Sequence, residues 1–444
     1  MRGLRFFLAL YLSKAVRRGI DLLAKGRGTN LPGAIALKID PQFLRHIRGI
    51  DPEKTVFITG TNGKSTTTGL LSRVLTEAGY RVISNLDGAN MTAGVAVPLL
   101  RSCSLTGRVR CDYVVMETDE RYVSRIRQQI PAKYLCITNV QKDQVQRNGE
   151  PGFILRKIRQ AIRPDMTVFV NQDEPNSCAL AAEADTVVRY GVSPHELSFQ
   201  KTDDFFAVSM PCPVCHSAIR FQQYNLDHIG PFCCPGCGLG SDHAADYLAE
   251  DVSFEEGYFS VDGQRYPMHY RLPQFLYSYV PTVAMARHLG VDGAVIARAF
   301  DKFQNASDRV AARTVAGKPL HFYKMKQENS ETLQAVVNTI AQDDSDKVFL
   351  FGCDEYIDFY PPYVNTCFLF DCDFRRLRES GVSHLTCTSA AMGHISATRF
   401  LYDGFDPDRI SVLPDSLEPT LRRELEALDS ENICLVEEIP FWKR

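Results

Sequence analysis

The stretch FITGTNGKST, Phe57 to Thr66, changes character twice in ten residues. Val56, Phe57 and Ile58 make an apolar run of the kind found in a buried β-strand. Gly60-Thr61-Asn62-Gly63 interrupts it, and GKSTTTGLLSRVLTEAGY then reads as a helix with Leu70, Leu71, Val74 and Leu75 on one face and Gly79 as its stop. Strand, glycine loop, Lys-Ser/Thr and helix together make a phosphate-binding arrangement. Glycines let backbone N–H groups turn toward an anion, and the helix N-terminus adds its positive end. Lys64 is placed to reach β and γ phosphates, and the Ser65 or Thr66 hydroxyl to ligate Mg²⁺. The reading predicts a nucleotide site.

Two further segments belong to the same sheet. YVVMETDE, Tyr113 to Glu120, is an apolar strand that ends in acids, and YLCITNV, Tyr134 to Val140, is another strand. In a doubly wound α/β sheet ligands gather at the carboxyl ends of strands, so Glu117 is placed to hold Mg²⁺ between phosphate and substrate.

Downstream, CPVCHSAIRFQQYNLDHIGPFCCPGCG contains Cys212-x₂-Cys215 and Cys234-x₂-Cys237, separated by eighteen residues. Each pair presents two thiolates from a tight turn, with Pro213, Pro235 and Gly236 as turn residues. Together they predict a tetrahedral zinc site whose closed ligand set makes it structural. Cys233 is an alternative to Cys234 at worse spacing, and His216 and His228 read as bystanders. The other cysteines, among them Cys103, Cys111, Cys136 and Cys353, mostly sit in apolar runs and read as buried reduced thiols.

At 444 residues the chain is long enough for two or three domains. Its net charge of −3 offers no bulk attraction for nucleic acid, which removes nucleic-acid partners from the expected set. The N-terminal MRGLRFFLALYLSKAVRRGIDLLAKGRG lacks a small-residue cleavage site after its short apolar run. Lys14, Arg17, Arg18 and Lys25 alternate with apolar residues, a basic amphipathic helix suited to peripheral contact with an anionic membrane surface or to packing on its own domain. No stretch is long enough to span a bilayer. The expected location is cytoplasmic, at the inner face of the cell membrane if the helix makes that contact.

The general loop pattern wants a glycine where Ile58 stands. The shorter T-G-T-N-G-K-S/T resembles the loop of the Mur ligase superfamily, whose members form amide bonds through an ATP-derived acyl phosphate. TNVQKDQVQRNG resembles that family's T-N-x-x-x-D-[HQ]-x-D-R-x-G, with Thr138, Asn139, Asp143, Gln144, Arg147 and Gly149 matching and one acid missing at Val145-Gln146. TVFVNQDEPN resembles its LNADDP strand end, and the likeness places Asn171 and Asp173 near the adenine or ribose. With the cysteine ribbon and the lead-in GTNLPGAIALKIDPQFLRHI, the chain resembles the MurT family, ligase subunits of lipid II isoglutaminyl synthase.

That resemblance implies a fold: an α/β protein with a Mur ligase-type P-loop central domain on a parallel-rich sheet, an inserted Cys₄ zinc ribbon and a smaller α/β C-terminal domain. The expected boundaries are residues 1–48 for the N-terminal helix and lead-in, 49–308 for the central domain with the ribbon at 205–245, and 309–444 for a C-terminal domain facing partner and substrate. It also implies a function, ATP-dependent amidation of the α-carboxyl of D-isoglutamate in lipid II, with ammonia from a GatD-like glutamine amidotransferase in a heterodimer. The implied cofactors are ATP, Mg²⁺ and structural Zn²⁺. Gly60 to Thr66, Asn139, Asn171, Asp173 and Arg309 would bind nucleotide, Lys64 and Glu117 would serve the chemistry, and Asp358 or Asp354 would complete the partner's glutaminase site.

The likeness thins toward the C-terminus. Ser278 and Pro281 stand where the family has asparagines, Gln274 replaces a glycine, and the acid after Arg309 is replaced by Ala311 or Ala312. In KMKQENS, Lys326 is the clearest match to the family's K-N-P-A-G-F. KVFLFGC and NTCFLFDCDF read as strands, SETLQAVVNTIAQ and SATRFLYDGF as helices. The drift keeps open a nucleotide-binding scaffold without turnover. The loop alone also fits a ligase that adds an amino acid to a soluble acceptor.

Overall fold

Val56, Phe57 and Ile58 lie on β1 (Thr55–Thr59), every residue of which is buried. β1 occupies the middle of a sheet with β2 (Val82–Ser84), β3 (Tyr113–Glu117), β4 (Tyr134–Ile137), β5 (Thr167–Asn171) and β6 (Thr186–Val192), all paired in parallel. After a separate two-stranded ribbon, β7 (Arg220–Phe221) and β8 (Phe232–Cys233), the chain rejoins the sheet as β9 (Tyr247–Ser253), β10 (Tyr258–Val261) and β11 (Gln264–Pro267). β9 runs parallel to β6, and β9, β10 and β11 form an antiparallel meander. The sheet order is β11-β10-β9-β6-β5-β4-β1-β3-β2.

Parallel strands covered on both faces need apolar residues at consecutive positions, because alternate side chains enter opposite cores. On β1, Val56 and Ile58 enter one core with Tyr113 and Val115, while Phe57 enters the other with Val114 and Met116. Helix α1 (Leu4–Leu23) contributes Phe6, Ala9 and Leu10 to the second core. Helices α2 (Lys64–Glu77) and α3 (Pro273–His288) supply Leu70, Leu71, Val74, Leu75, Tyr277 and Val280 to the first. Each large apolar side chain so buried stabilises the fold by about 1.5–3 kcal/mol.

The computed structural model describes residues 3–23, 30–86, 90–201, 210–241, 245–303, 310–326, 328–353, 366–438 and 441–443. The chain divides into two units: Met1–Gln141, Glu150–Gln200 and Val208–Gln304 form the first, and Lys142–Gly149, Lys201–Ala207 and Asn305–Arg444 the second. Among the described residues no helix is long and apolar enough to cross a membrane.

The second unit holds β12 (Val310–Val315), β13 (Lys318–Lys324), β14 (Lys347–Gly352), β15 (Val382–Thr388), β16 (Ile410–Val412) and β17 (Ile433–Glu437) in the order β12-β13-β17-β14-β15-β16. Only β12 is antiparallel to its neighbour. Helices α4 (Ser330–Ile340) and α5 (Ala390–Tyr402) follow crossovers that step outward along the sheet, and α6 (Glu418–Ala427) follows the one that steps back. Right-handed crossovers stepping in opposite directions place their helices on opposite faces. Accordingly Leu333, Val337 and Phe400 pack with Phe349 and Phe351 on one face, and Leu421 and Leu425 with Val348 and Leu350 on the other.

The predicted strand and helix at KVFLFGC and SETLQAVVNTIAQ are present as β14 and α4, but NTCFLFDCDF is not a strand. Cys367–Asp371 is a 3₁₀ turn with Phe368 and Leu369 buried and Phe370 exposed. Gln334 grips the chain just beyond it, its side chain accepting from the Asp373 N–H and donating to the Asp373 carbonyl, and α4 thereby holds the segment off the sheet.

Candidate functional site

The loop after β1 is built as the sequence requires. Gly60 has φ +128° and Gly63 φ +83°, the left-handed region that side chains disfavour. A Cβ on Gly60 would lie 2.3 Å from Thr138 Oγ1, so the position also lacks room. Three residues just beyond β4 clasp the loop. The Asn139 amide accepts from the Asn62 N–H (2.9 Å) and donates to the Asn62 carbonyl (3.1 Å), to which the Thr138 hydroxyl also donates (2.7 Å). Thr61 N–H donates to the Asn139 carbonyl (2.8 Å), Gln141 N–H to the Thr61 hydroxyl (3.0 Å), and the Asn62 amide to Gln141 Oε1 (3.0 Å). Asn139 is therefore spent on the backbone of the loop.

Lys64 opens α2 and folds back over the loop. Its ammonium donates to the carbonyls of Gly60 and Thr61 and pairs with Glu120 at 3.1 Å. Ser65 is exposed and Thr66 buried. Glu117 ends β3 with its carboxylate accepting from the Asn90 amide (2.9 Å), while Asn85 brackets its backbone N–H and C=O (2.8 and 2.9 Å). Asn85, Asn90 and Glu120 escaped the sequence reading. Three acids within ETDE were the available signal for Glu120.

Asn171 and Asp173 are brought to the same strand ends but are buried. Asn171 donates to the Thr138 carbonyl (3.2 Å), behind the clasp. Asp173 accepts from the Val192 N–H (2.7 Å) and from the Tyr277 hydroxyl on α3 (2.9 Å). Burial pushes its carboxyl up to about 7 against those two bonds. Glu174 caps the next helix through the N–H groups of Asn176 and Ser177 and holds Val140 N–H at 3.0 Å, fixing the stretch between Asn139 and Gln141. Ser278 lies beside the loop, its hydroxyl 3.2 Å from where a Gly63 Cβ would stand.

The four predicted cysteines converge. Cys212 and Cys237 sulfurs lie 3.6 Å apart and Cys215 and Cys234 3.4 Å, and all four ligand atoms fall within 4.8 Å of one another. These separations exceed a disulfide bond and approach the sulfur spacing of a tetrahedral zinc–thiolate site, about 3.8 Å for Zn–S bonds of about 2.3 Å. Cys234 belongs to the cluster and Cys233 is exposed. A Cβ on Gly236 would lie 2.3 Å from Ser217 Oγ and 3.0 Å from Cys215 Sγ, so a side chain there would displace one of them. The loop between the cysteine pairs is tied to the sheet: Gly230 N–H donates to the Asp173 carbonyl (2.9 Å) and the Asn225 amide to the Tyr277 oxygen (3.1 Å).

In the second unit Asp143 pairs with Lys326, and accepts from the amides of Asn329 (3.2 Å) and Asn148 (3.3 Å). Arg309, Asp354 and Asp358 lie outside the described residues.

Residues 58–226 match the Mur ligase middle domain family, and the clasped loop opens that match. The chain carries a Mur ligase middle domain and has the Mur ligase fold, shared with a pseudomurein peptide ligase type C from Methanothermus fervidus at a TM-score of 0.66 and 17% identity, over 87% of this chain and 76% of that one. Over most of its length it is similar to the subunit MurT of glutamine-hydrolyzing lipid II isoglutaminyl synthase. Identity is 27% over 407 residues to MurT of Streptococcus pneumoniae strain ATCC BAA-255 / R6, covering 89% of this chain and 87% of that protein. It is 25% over 393 residues to MurT of Staphylococcus aureus strain COL, covering 87% and 85%. The resemblance drawn from the motifs is borne out by both.

Proposed function

We propose that the chain is an ATP-dependent carbon–nitrogen ligase that amidates the α-carboxyl of D-isoglutamate in lipid II. The observation that carries the reading is the clasped Gly60–Thr66 loop, with Lys64 laid across it and Glu117 at the neighbouring strand end. The similarity to MurT supports the choice of substrate.

In this reading the loop N–H groups, the first turn of α2 and Lys64 bind the triphosphate and balance charge spread over the transferring phosphoryl group. Lys64 exchanges part of its contact with Glu120 for phosphate oxygen. A substrate carboxylate oxygen attacks the γ-phosphorus, the bond to the β-phosphate oxygen breaks, and ADP leaves. Ammonia attacks the acyl carbon, the bond to the phosphate oxygen breaks, and loss of a proton from nitrogen leaves amide and inorganic phosphate. Magnesium, for which the exposed Ser65 hydroxyl and Glu117 are the fitting oxygen donors, supplies charge neutralisation at the phosphates when bound. Catalysis of this kind is chiefly positioning and electrostatics, and hence a loop clasped by Thr138, Asn139 and Gln141 matters.

The cysteine cluster holds zinc in a structural role, since four thiolates leave no open coordination position. A GatD-like glutaminase supplies ammonia as the partner of a heterodimer, and Asp354 or Asp358 completes its site. Arg309 contributes to the γ-phosphate. The domain limits 1–48, 49–308 and 309–444 belong to the same reading.

The test is incubation of the purified chain with lipid II, ATP and ammonium chloride, which bypasses the glutaminase. The expected result is ADP and amidated lipid II in equal amounts, abolished by Lys64→Ala. ATP left intact and the carboxylate unchanged would overturn the assignment.

A further inference from the structure

Helix α1 is apolar on two sides. Phe6, Ala9, Leu10 and Ser13 are buried against the first unit, Phe6 stacking on Phe43 with ring centroids 5.4 Å apart. On the outward side Leu4, Leu8, Tyr11, Leu12 and Leu22 remain 87%, 55%, 49%, 45% and 87% exposed. At about 100° per residue these five fall within a stripe about 100° wide. Single exposed leucines need no explanation, but a continuous row on a helix whose opposite face is anchored does.

The borders of the stripe are cationic. Arg5 flanks it on one edge, and Arg18 and Lys14 on the other. Asp21, the sole acid of the helix, lies away from the stripe in an ion pair with Arg17 at 3.0 Å. Residues 1–30 contain seven Lys or Arg and one Asp, a net of +6, whereas the whole chain carries −3, so the remaining residues carry −9. The apolar row is thus set in the positive end of an otherwise acidic protein. An apolar stripe bordered by arginine and lysine matches a lipid surface, with side chains entering the acyl boundary and guanidinium groups at the phosphates. A second copy of the chain would instead bring like charges together.

We propose that the outward face of α1 docks this protein on an anionic lipid surface, lying in the interface without crossing it. The proposal stands apart from the ligase reading, because it concerns bulk anionic lipid and its test contains no ligase substrate.

The experiment uses the full chain and sucrose-loaded vesicles, either phosphatidylcholine alone or an equal mixture of phosphatidylcholine and phosphatidylglycerol. The protein is expected to pellet with the mixed vesicles, to be released as salt is raised, and to remain in solution with phosphatidylcholine alone. The double variant Leu8→Gln/Leu12→Gln, at exposed positions, should keep the parent melting temperature and lose binding by about tenfold or more. Arg5→Gln/Arg18→Gln should bind more weakly and with less salt dependence. Failure to pellet with mixed vesicles, equal binding by parent and Leu8→Gln/Leu12→Gln, or a dimer by light scattering that this variant dissolves would each overturn the proposal.

Discussion

Asn139 shows how a motif residue can act on the backbone of a loop. Both ends of its amide are used on Asn62, so Asn139→Ala removes two hydrogen bonds from a part-buried loop. A stability loss of about 1–3 kcal/mol is expected from urea unfolding, together with weaker ATP binding in titration calorimetry. Unchanged ATP affinity would show that the loop holds its shape unaided. Ser65 and Thr66 separate by burial. Ser65→Ala should weaken ATP binding only when magnesium is present, whereas Thr66→Ala should lower the melting temperature with or without it. Asp173 adds a pH dependence. Its carboxyl is raised to about 7 in the fold by burial, against an unfolded value of about 3.9. The protonated form is the one folding favours, so this contribution is complete below about pH 4 and is lost as pH rises through about 7. Asp173→Asn, which stays neutral, should therefore show a flatter decline of melting temperature between pH 5 and 8 than the parent. An identical slope in the two proteins would contradict the shift.

Among the elements, those built from contiguous apolar runs were legible in the sequence. β1, β3, β4, β5 and β14 are buried on both faces, and such strands declare themselves as unbroken runs such as VFI, YVVM and KVFLFG. The meander β9 to β11 was not legible, because YLAEDVS and QRYP carry charges on a partly exposed sheet edge. NTCFLFDCDF misled for the opposite reason: local hydrophobicity matches a strand, but contacts from Gln334, distant in sequence, decide its conformation. The same limit explains the site. Spacing revealed the glycine loop and the four cysteines, each a local pattern, whereas the clasp between Asn62 and Gln141 and the pairing of Lys64 with Glu120 depend on strands adjoining in space.

The cysteine ribbon permits a prediction at this scale. Its loop is joined to Asp173 and Tyr277. Chelation of zinc should therefore lower the melting temperature by several degrees, while ATP turnover persists in part below the new midpoint. Loss of turnover with no change in melting would assign the metal a role other than structural.

For the molecule as a whole, the two units divide the fold into a Mur ligase-type sheet that carries the loop and a smaller α/β sheet. The likeness to MurT spans both, since it covers 87–89% of the chain. The central claim nevertheless rests on the first unit, in which a short glycine turn grips a triphosphate so that a carboxylate is activated. Titration calorimetry of ATP with saturating magnesium into the folded full chain tests this most directly. One saturable site is expected, lost in a Lys64→Ala protein that still unfolds cooperatively. No binding by the folded parent protein would contradict it.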